Sequence, residues 1–190
     1  MPEKVELLLD KHTWHPSPLV GQIVLVTTLN EDGTSNVAPK SWISMMAFEP
    51  PTLALGCNLQ HWTARNVLRS GEFVVNVPGA ELIEVAWNVP ALPHPRPVEA
   101  LGLRPIPARL VGPPRIAECR AHLECTLDRH LTYGEEVILL GRIVAVAVDR
   151  EALASADPYA YLRMAVHLEE STYGVIARAD RIGQPKEGLP

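Results

Sequence analysis

The chain has 190 residues, of which 47% are hydrophobic and 21% are charged, the composition of a globular protein with one sizeable core. Its net charge is −5, its pI is about 5.8, and its basic residues are scattered along the sequence. A nucleic-acid partner is therefore not expected, because phosphate backbones are bound by clustered Lys and Arg.

The cysteines and the absence of targeting signals predict a cytoplasmic protein. The N-terminus has no basic-then-apolar signal pattern, and no apolar run reaches the length that crosses a bilayer. The three cysteines, Cys57, Cys119 and Cys125, are odd in number and lack metal-binding spacing. We therefore expect buried thiols in a reducing compartment, with no metal and no membrane partner.

The first elements in chain order are a hairpin and a short strand. Ile23 to Thr28 is apolar and β-branched, Asn30 to Gly33 supplies turn residues, and Ser35 begins a return strand. Thr52 to Cys57 reads as another short strand, which follows a double proline.

A helix, a strand and a second helix are predicted next. Thr63 is a candidate N-cap for a helix from Ala64 to Ser70, which Gly71 would end. Phe73 to Val77 is strand-like, and residues 79–89 form a short amphipathic helix. The proline-rich stretch that follows, about residues 90–114, predicts a long excursion without extended regular structure.

The last third of the chain contains the two longest predicted strands. From Cys119 to Leu131 the residues alternate, with His122 on the outward face, where we expect it to be solvated. Val137 to Val148 is almost continuously apolar and predicts a central strand buried on both faces. Asp157 and Pro158 then open a short helix as its N-cap and first residue.

These elements predict a mainly β fold in which a closed or nearly closed antiparallel barrel carries a few short helices, because the alternation of strands and helices in a doubly wound sheet is missing. We expect one domain over residues 1–190, with the barrel in about 18–150 and a C-terminal helix and tail in 151–190.

Two polar patches beside strand ends are the candidate functional residues, since the common catalytic motifs are missing. In the first, "NVAPKSW", a proline inside a strand predicts an edge or a bulge that frees backbone groups to bind a flat heterocycle. The alternative is a surface bulge with a solvated Lys40.

In the second polar patch, "CNLQHWTARN", a helix begins and its N-terminus would suit a phosphate. The alternative is an ordinary N-cap. Together the two patches suit a mononucleotide such as flavin mononucleotide (FMN).

The ordered set of these motifs resembles the flavin reductase-like family, whose fold is the FMN-binding split β-barrel. The resemblance runs through "SNVAPKSW" with the following "EPP", then "TARNVLRSGEFVVNV", "AECRAHLECTL" and "GEEVILLGRIVAV", and covers roughly Pro18 to Val148. It implies an antiparallel, Greek-key-like split barrel and a homodimer that binds FMN near the subunit interface.

The resemblance also implies which residues contact FMN. Ala38, Pro39, Lys40, Ser41 and Trp42 would line the isoalloxazine ring and the ribityl chain, and Cys57, Asn58 and Leu59 would close over them. His61 and Thr63 would lie near the phosphate, and Asn66 would brace the loop. His167 and Tyr173 in the tail would approach the flavin.

The activity that the resemblance implies is hydride transfer from NADH or NADPH to flavin, and from there to a small-molecule or protein acceptor. Many members carry Gly-Asp-His in the turn before the last long strand, whereas this chain has Gly134, Glu135 and Glu136, which puts nicotinamide binding in question. Two alternatives stay open: an FMN-dependent oxidase or reductase of a small substrate, and a non-catalytic dimer that binds FMN or haem. The proline-rich excursion is either a lid over the flavin or a loop packed on the barrel wall or the dimer partner.

Overall fold

The computed structural model describes residues 2–7 and 16–180. The strands are β1 (Gly21–Gln22), β2 (Val24–Leu29), β3 (Ser35–Lys40), β4 (Ile43–Phe48), β5 (Pro51–Asn58), β6 (Glu72–Val77), β7 (Pro105–Ile106), β8 (Arg115–Ile116), β9 (Ala121–Tyr133), β10 (Glu136–Val148), β11 (Ala165–Glu169) and β12 (Thr172–Val175). The α-helices are α1 (Trp62–Ser70), α2 (Ile83–Asn88), α3 (Arg150–Ala154) and α4 (Pro158–Leu162), and short 3₁₀ turns lie at Ala80–Leu82, Val89–Ala91 and Val98–Leu101. No helix among these residues is long and apolar enough to span a membrane.

The main sheet is curled into a split barrel, as predicted. Its seven strands are antiparallel and lie in the order β3-β2-β6-β9-β10-β5-β4, so that β3 and β4 form its two edges. In a flat sheet these edges would be about 29 Å apart, at about 4.8 Å per strand. Only Ser41 and Trp42 separate the two strands, and the three residue steps from Lys40 to Ile43 span at most about 11 Å. The sheet therefore curls until its two edges meet.

Two apolar clusters lie on the two faces of this curled sheet. The inner cluster includes Val24, Val26, Phe73, Val75 and Leu139, and the apolar side of α1 joins it. The outer cluster lies between β2 and β3 and the segment from α2 to β8, and it includes Leu25, Val37, Ala86, Val98 and Ile116. The barrel wall is therefore covered on one side by the proline-rich excursion.

Most of the predicted elements are confirmed, with small shifts in their ends. The hairpin is formed by β2 and β3, and Gly71 ends α1 with a φ of 75°. Asp157 caps α4, since its side chain accepts a hydrogen bond from the Ala160 N–H at 3.0 Å. The three cysteines are free and buried. Strand β4 was not predicted, because the polar stretch before it obscured the alternation.

Two expectations about burial are wrong. Strand β10 is central, yet it alternates: Val137 and Leu139 are buried, whereas Ile138 and Val146 are exposed. A barrel encloses one core, so each of its strands has one inner face and one outer face. His122 is on the outer face but is buried, because the proline-rich excursion covers the wall at that point.

The strand expected from Cys119 begins instead at Ala121. Cys119 lies in the preceding turn, where its N–H donates to the carbonyl oxygen of Ile116 at 3.1 Å, and it packs in the outer cluster. Cys125 points into the barrel, so the two thiols do not share a face.

Buried polar groups attach the second half of the excursion to the wall. The Glu124 carboxylate is inaccessible to solvent and accepts hydrogen bonds from the N–H groups of Arg109 and Leu110 at 2.7 and 2.6 Å, and from the Arg115 guanidinium at 2.7 Å. The Asn76 amide oxygen accepts from the Ile116 N–H at 2.9 Å and lies 3.0 Å from Nδ1 of His122. The excursion packs on the barrel wall, which is one of the two alternatives considered for it.

We expect Glu124→Gln to lower the free energy of unfolding by about 3 kcal/mol, because it leaves the Arg115 guanidinium without its buried partner. Burial alone would raise the pKa of Glu124, but its hydrogen bonds and Arg115 hold it below the ordinary value. The stabilisation by ionised Glu124 is therefore fully present at pH values above the ordinary carboxyl pKa. It is lost as the pH falls through the lower pKa that Glu124 has in the folded protein. Urea unfolding at several pH values measures the free energy of unfolding.

Glu118→Gln is the control, since that exposed carboxylate accepts one backbone hydrogen bond, from Arg104. Equal losses in the two variants would contradict the prediction.

Candidate functional site

The candidate site lies at the split, where the edge strand β3 contains Pro39. The N–H of Val37 points away from β2 and donates to the carbonyl oxygen of Arg96 at 2.9 Å. Alternate residues of an antiparallel strand point the same way, so the nitrogen of Pro39 also faces the split and costs the sheet no hydrogen bond. The register between β2 and β3 is regular through Pro39. The predicted edge position is thus observed, and the bulge that was its alternative is not.

The small sheet β1-β11-β12 is placed against the split by a close backbone contact at Gly21. A Cβ atom at Gly21 would lie 1.9 Å from the carbonyl oxygen of Ser41, so only glycine fits there. Gly21 pairs with His167, and His167 pairs with Tyr173 across β11 and β12. This register brings the two tail residues to the connection between β3 and β4.

A cavity of about 210 Å³ opens at this point. Five of the predicted site residues line it: Pro39, Lys40, Ser41, His167 and Tyr173. Its remaining walls are mainly apolar and come from Ile23 and from α2, namely Ile83, Ala86 and Trp87. Ligand pockets commonly measure about 300–1,000 Å³, so this cavity is suited to one ring system rather than to a whole mononucleotide.

Lys40 connects the cavity with the N-terminal end of α1. Burial lowers the pKa of Lys40, and its ammonium group donates to the carbonyl oxygen of Pro39 at 3.2 Å, a neutral acceptor. Burial raises the pKa of Cys57, and the charge of Lys40 opposes this rise. Burial lowers the pKa of His61, and the charge of Lys40 lowers it further. A partly desolvated cation whose hydrogen bond to the described residues goes to a carbonyl favours an anionic ligand nearby.

The start of α1 corrects the expected role of Thr63. The helix begins at Trp62, and its N-cap is His61, whose side chain makes no capping hydrogen bond. Thr63 is the second helical residue, and its hydroxyl is buried with no hydrogen-bond partner among the described residues. Leaving a buried hydroxyl unpaired costs about 1–3 kcal/mol, so a group absent from the ligand-free protein is the natural partner.

A second unpaired polar atom lies on the neighbouring strand. The amide oxygen of Asn36 is buried and has no partner within the described part of the chain. Asn36 pairs with Thr28 in the sheet, and the hydroxyl of Thr28 accepts a hydrogen bond from the Asn66 amide at 3.0 Å. Thr63 and Asn66 are one turn apart on the buried face of α1. Asn36 and Thr63 therefore belong to the same contact between α1 and the sheet.

The end of β5 and the turn between β9 and β10 form the other side of the site. The Cys57 thiol points into the inner cluster, which leaves only its backbone for a ligand. The N–H of Leu59 already donates to Glu135, and the Asn58 amide lies 3.4 Å from a carboxylate oxygen of Glu136. The other carboxylate oxygen of Glu136 is buried without a partner among the described residues.

The remaining predicted residues differ in their exposure. Ala38 is buried in β3, whereas the Trp42 side chain is 65% exposed and lies over Gly56 on the outside of the sheet. Trp42 is thus placed beside the split rather than inside the cavity.

Three residues near this site were not predicted: Glu136, His94 and Arg96. The sequence did indicate Glu136 as a candidate, since it stands in the turn where many family members carry the histidine of Gly-Asp-His. His94 and Arg96 had none, because they come from the proline-rich excursion and reach the site only through the tertiary fold.

Comparisons with known proteins agree with this fold. Residues 17–170 match the flavin reductase like domain family. The chain is 33% identical over 149 residues to the uncharacterized protein YwrF of Bacillus subtilis, covering 72% of this chain and 73% of that protein. Its fold is similar to nitrilotriacetate monooxygenase component B from Bacillus cereus, with a TM-score of 0.83, 22% identity and coverage of 96% and 100%. It is also similar to an FMN-binding protein from Thermus thermophilus, with a TM-score of 0.76, 16% identity and coverage of 95% and 100%.

We expect Thr63→Val to raise the free energy of unfolding of the ligand-free protein by about 1 kcal/mol, because it replaces an unpaired buried hydroxyl with a methyl group of similar size. Chemical denaturation measures this change. Thr63→Ser keeps the hydroxyl and is the control, which should show no gain. A loss of stability in the valine variant would mean that the hydroxyl is already paired in the ligand-free protein.

Proposed function

The chain belongs to the flavin reductase-like family, and from this premise we propose that it is an FMN-binding oxidoreductase that passes hydride from NADH or NADPH to flavin. The observation that carries the proposal is the convergence of Pro39, Lys40, Ser41, His167 and Tyr173 on one cavity at the split, beside an α1 N-terminus with an unpaired buried hydroxyl. The cavity suits the ring, and the helix start suits the phosphate.

The residues proposed to hold the flavin fall into two groups. Ala38 to Ser41, His167 and Tyr173 would line the ring and the ribityl chain, with Trp42 outside the cavity beside the split. Cys57, Asn58, Leu59, His61 and Thr63 would enclose the chain and the phosphate, while Asn66 holds α1 against the hairpin. The Thr63 hydroxyl and the first N–H groups of α1 would donate to phosphate oxygens, which satisfies the unpaired group described above.

The bound flavin would supply the redox chemistry by accepting a hydride at its N5 atom. The chain would orient the ring between the β3 edge and the tail strands, and the apolar walls from α2, which line the cavity, would exclude water from it. The ammonium group of Lys40 would stabilise the negative charge that reduction adds to the ring. No side chain is required as a general acid or base. A small molecule or a partner protein would then take the electrons.

Reduction by nicotinamide and binding of FMN are tested together by spectroscopy. The purified protein, supplied with FMN, should show the visible bands of a bound flavin, and NADH or NADPH without oxygen should bleach them. Bound flavin that no nicotinamide bleaches would favour a non-catalytic carrier, and a Soret band would favour haem. Bleaching only by another small reductant would favour the alternative oxidoreductase. A protein that binds no flavin would contradict the proposal.

Two glycine substitutions, one beside the cavity and one control, test whether FMN binds at this site. Gly21→Ala forces the Ser41 carbonyl group to move, because the new Cβ would lie 1.9 Å from its oxygen, and FMN affinity should fall by about tenfold or more. Gly174→Ala is the control in the same small sheet, where the nearest atom to the new Cβ is at an ordinary 3.5 Å.

We also propose that two copies of the chain associate, in the cytoplasm, through a row of exposed apolar residues. Trp42 lies over Gly56, Gly56 pairs with Ile138, and Ile138 pairs with Leu131. The side chains of Trp42, Ile138 and Leu131 are exposed on the same outer face. A contiguous apolar surface of this kind favours a protein partner, and its position beside the split would place the flavin near the interface.

We expect Ile138→Asp to raise the dimer dissociation constant by about 30-fold or more, because it buries a charge at the centre of the row. Sedimentation equilibrium measures the change. Leu153→Asp is the control, since Leu153 is 75% exposed but lies on α3, away from the row. A monomeric unaltered protein, or equal effects of both substitutions, would contradict this interface.

A further inference from the structure

Residues 92–98 of the proline-rich excursion, here called the cover, contact the first residue of α1. The imidazole ring of His94 stacks on the Trp62 indole, with ring centroids 3.7 Å apart and planes 12° from parallel. The Arg65 guanidinium lies 5.4 Å from the centre of the Trp62 ring. The first residue of α1 therefore contacts both a basic side chain of the helix and a histidine of the cover.

The cover also lies along the outer edge of β3. The carbonyl oxygen of Arg96 accepts the N–H of Val37 at 2.9 Å, and the N–H of Val98 donates to the Ser35 hydroxyl at 3.2 Å. These two bonds flank Asn36 in the sequence of β3. The cover thus bridges the two elements that carry the unpaired buried groups, α1 with Thr63 and β3 with Asn36.

The cover contributes a third unpaired group. Nε2 of His94 is buried and has no hydrogen-bond partner among the described residues. The Thr63 hydroxyl, the Asn36 amide oxygen and the His94 ring nitrogen are thus three buried polar atoms around one helix start. Such groups are normally paired in native proteins. The Thr63 hydroxyl and a His94 ring N–H can donate to the oxygens of a phosphate, whereas the Asn36 amide oxygen can only accept.

Arg96 supplies a fixed positive charge at this place. Its Nε and Nη2 atoms donate to the carbonyl oxygens of Leu92 and Pro90 at 2.9 and 3.0 Å, so the guanidinium is oriented by the excursion itself. Burial lowers the pKa of His94, and the Arg96 charge lowers it as well. The pKa of His61 is lowered by burial, by Lys40 and by Arg96, although Glu136 opposes this. The charges of Arg96 and Lys40 thus act on the same place, where they would stabilise an anionic ligand.

We propose that His94 and Arg96 bind the terminal phosphate of the flavin, and that the cover thereby selects a flavin phosphomonoester over unphosphorylated flavin. The inference rests on the proposed function and identifies which part of the chain sets its cofactor specificity. Arg96 provides charge at a fixed position, and the Nε2–H group of His94 donates a hydrogen bond to a phosphate oxygen. The excursion is accordingly part of the binding site rather than only a covering of the barrel wall.

The test compares FMN and riboflavin, which differ only in the phosphate. Dissociation constants of both are measured by quenching of flavin fluorescence with the whole chain. We expect the unaltered protein to prefer FMN, and we expect Arg96→Met to weaken FMN binding by about tenfold or more while riboflavin affinity changes by less than about twofold. His94→Phe keeps the stack on Trp62 but removes the ring nitrogens, and it should reduce the preference for FMN several-fold. Circular dichroism verifies that each variant is folded.

Two further variants distinguish the effect of the Arg96 charge on FMN binding from the effect of Arg96 on the structure of the loop. Arg96→Lys keeps the charge but cannot hold both carbonyl oxygens, and it should retain most of the preference. Arg104→Met removes an exposed arginine farther along the same excursion and should retain all of it. A loss in Arg96→Lys equal to that in Arg96→Met, or an unchanged preference in Arg96→Met and His94→Phe, would overturn the inference. If the unaltered protein binds neither flavin, the proposed function fails; if it binds both equally, only this inference fails.

Discussion

The short connection between β3 and β4 is the constraint on which the rest of the structure depends. Two residues join the opposite edges of a seven-stranded sheet, so the sheet has to curl and its edges have to meet. The curl creates the inner core, gives every strand one buried face, and leaves a split between the two edges. The same two residues, Ser41 and Trp42, then lie beside the split, one at the cavity and the other on the outer surface.

The site that occupies the split is formed from groups that the fold leaves unpaired. Thr63, Asn36, His94 and Glu136 each bury a polar atom without a partner among the described residues, and Lys40 is partly desolvated beside a carbonyl group. Around Glu124 and Asn76, in contrast, the buried polar groups are paired. The one further unpaired atom among the described residues is Nε of Arg120, whose other two guanidinium nitrogens donate to Asp149 and Glu81. The concentration of the other four unpaired atoms at the split is the physical argument for a polar ligand there.

The sequence predicted the features that depend on local chemistry. The hairpin turn, the glycine that ends α1 and the aspartate that caps α4 follow from backbone preferences of single residues. The expectations that failed depend on long-range packing. His122 was assigned to solvent because nothing in its strand shows that the excursion covers it, and Val137 to Val148 looked doubly buried because the outer face of β10 is apolar too. The His94 and Arg96 contacts join residues that lie about 30 and 60 positions from their partners, Trp62 and Val37.

Pro39 shows why a residue that weakens most strands is suited to this one. The edge strands β3 and β4 are joined by Ser41 and Trp42 but are not paired with each other. The nitrogen of Pro39 faces the split and has no hydrogen to donate, so β3 offers a carbonyl group at this point and no N–H. Two residues earlier the same edge is covered, because Val37 donates to Arg96. The proline therefore marks where the covered part of the edge ends and the open part begins, and the cavity lies against that open part.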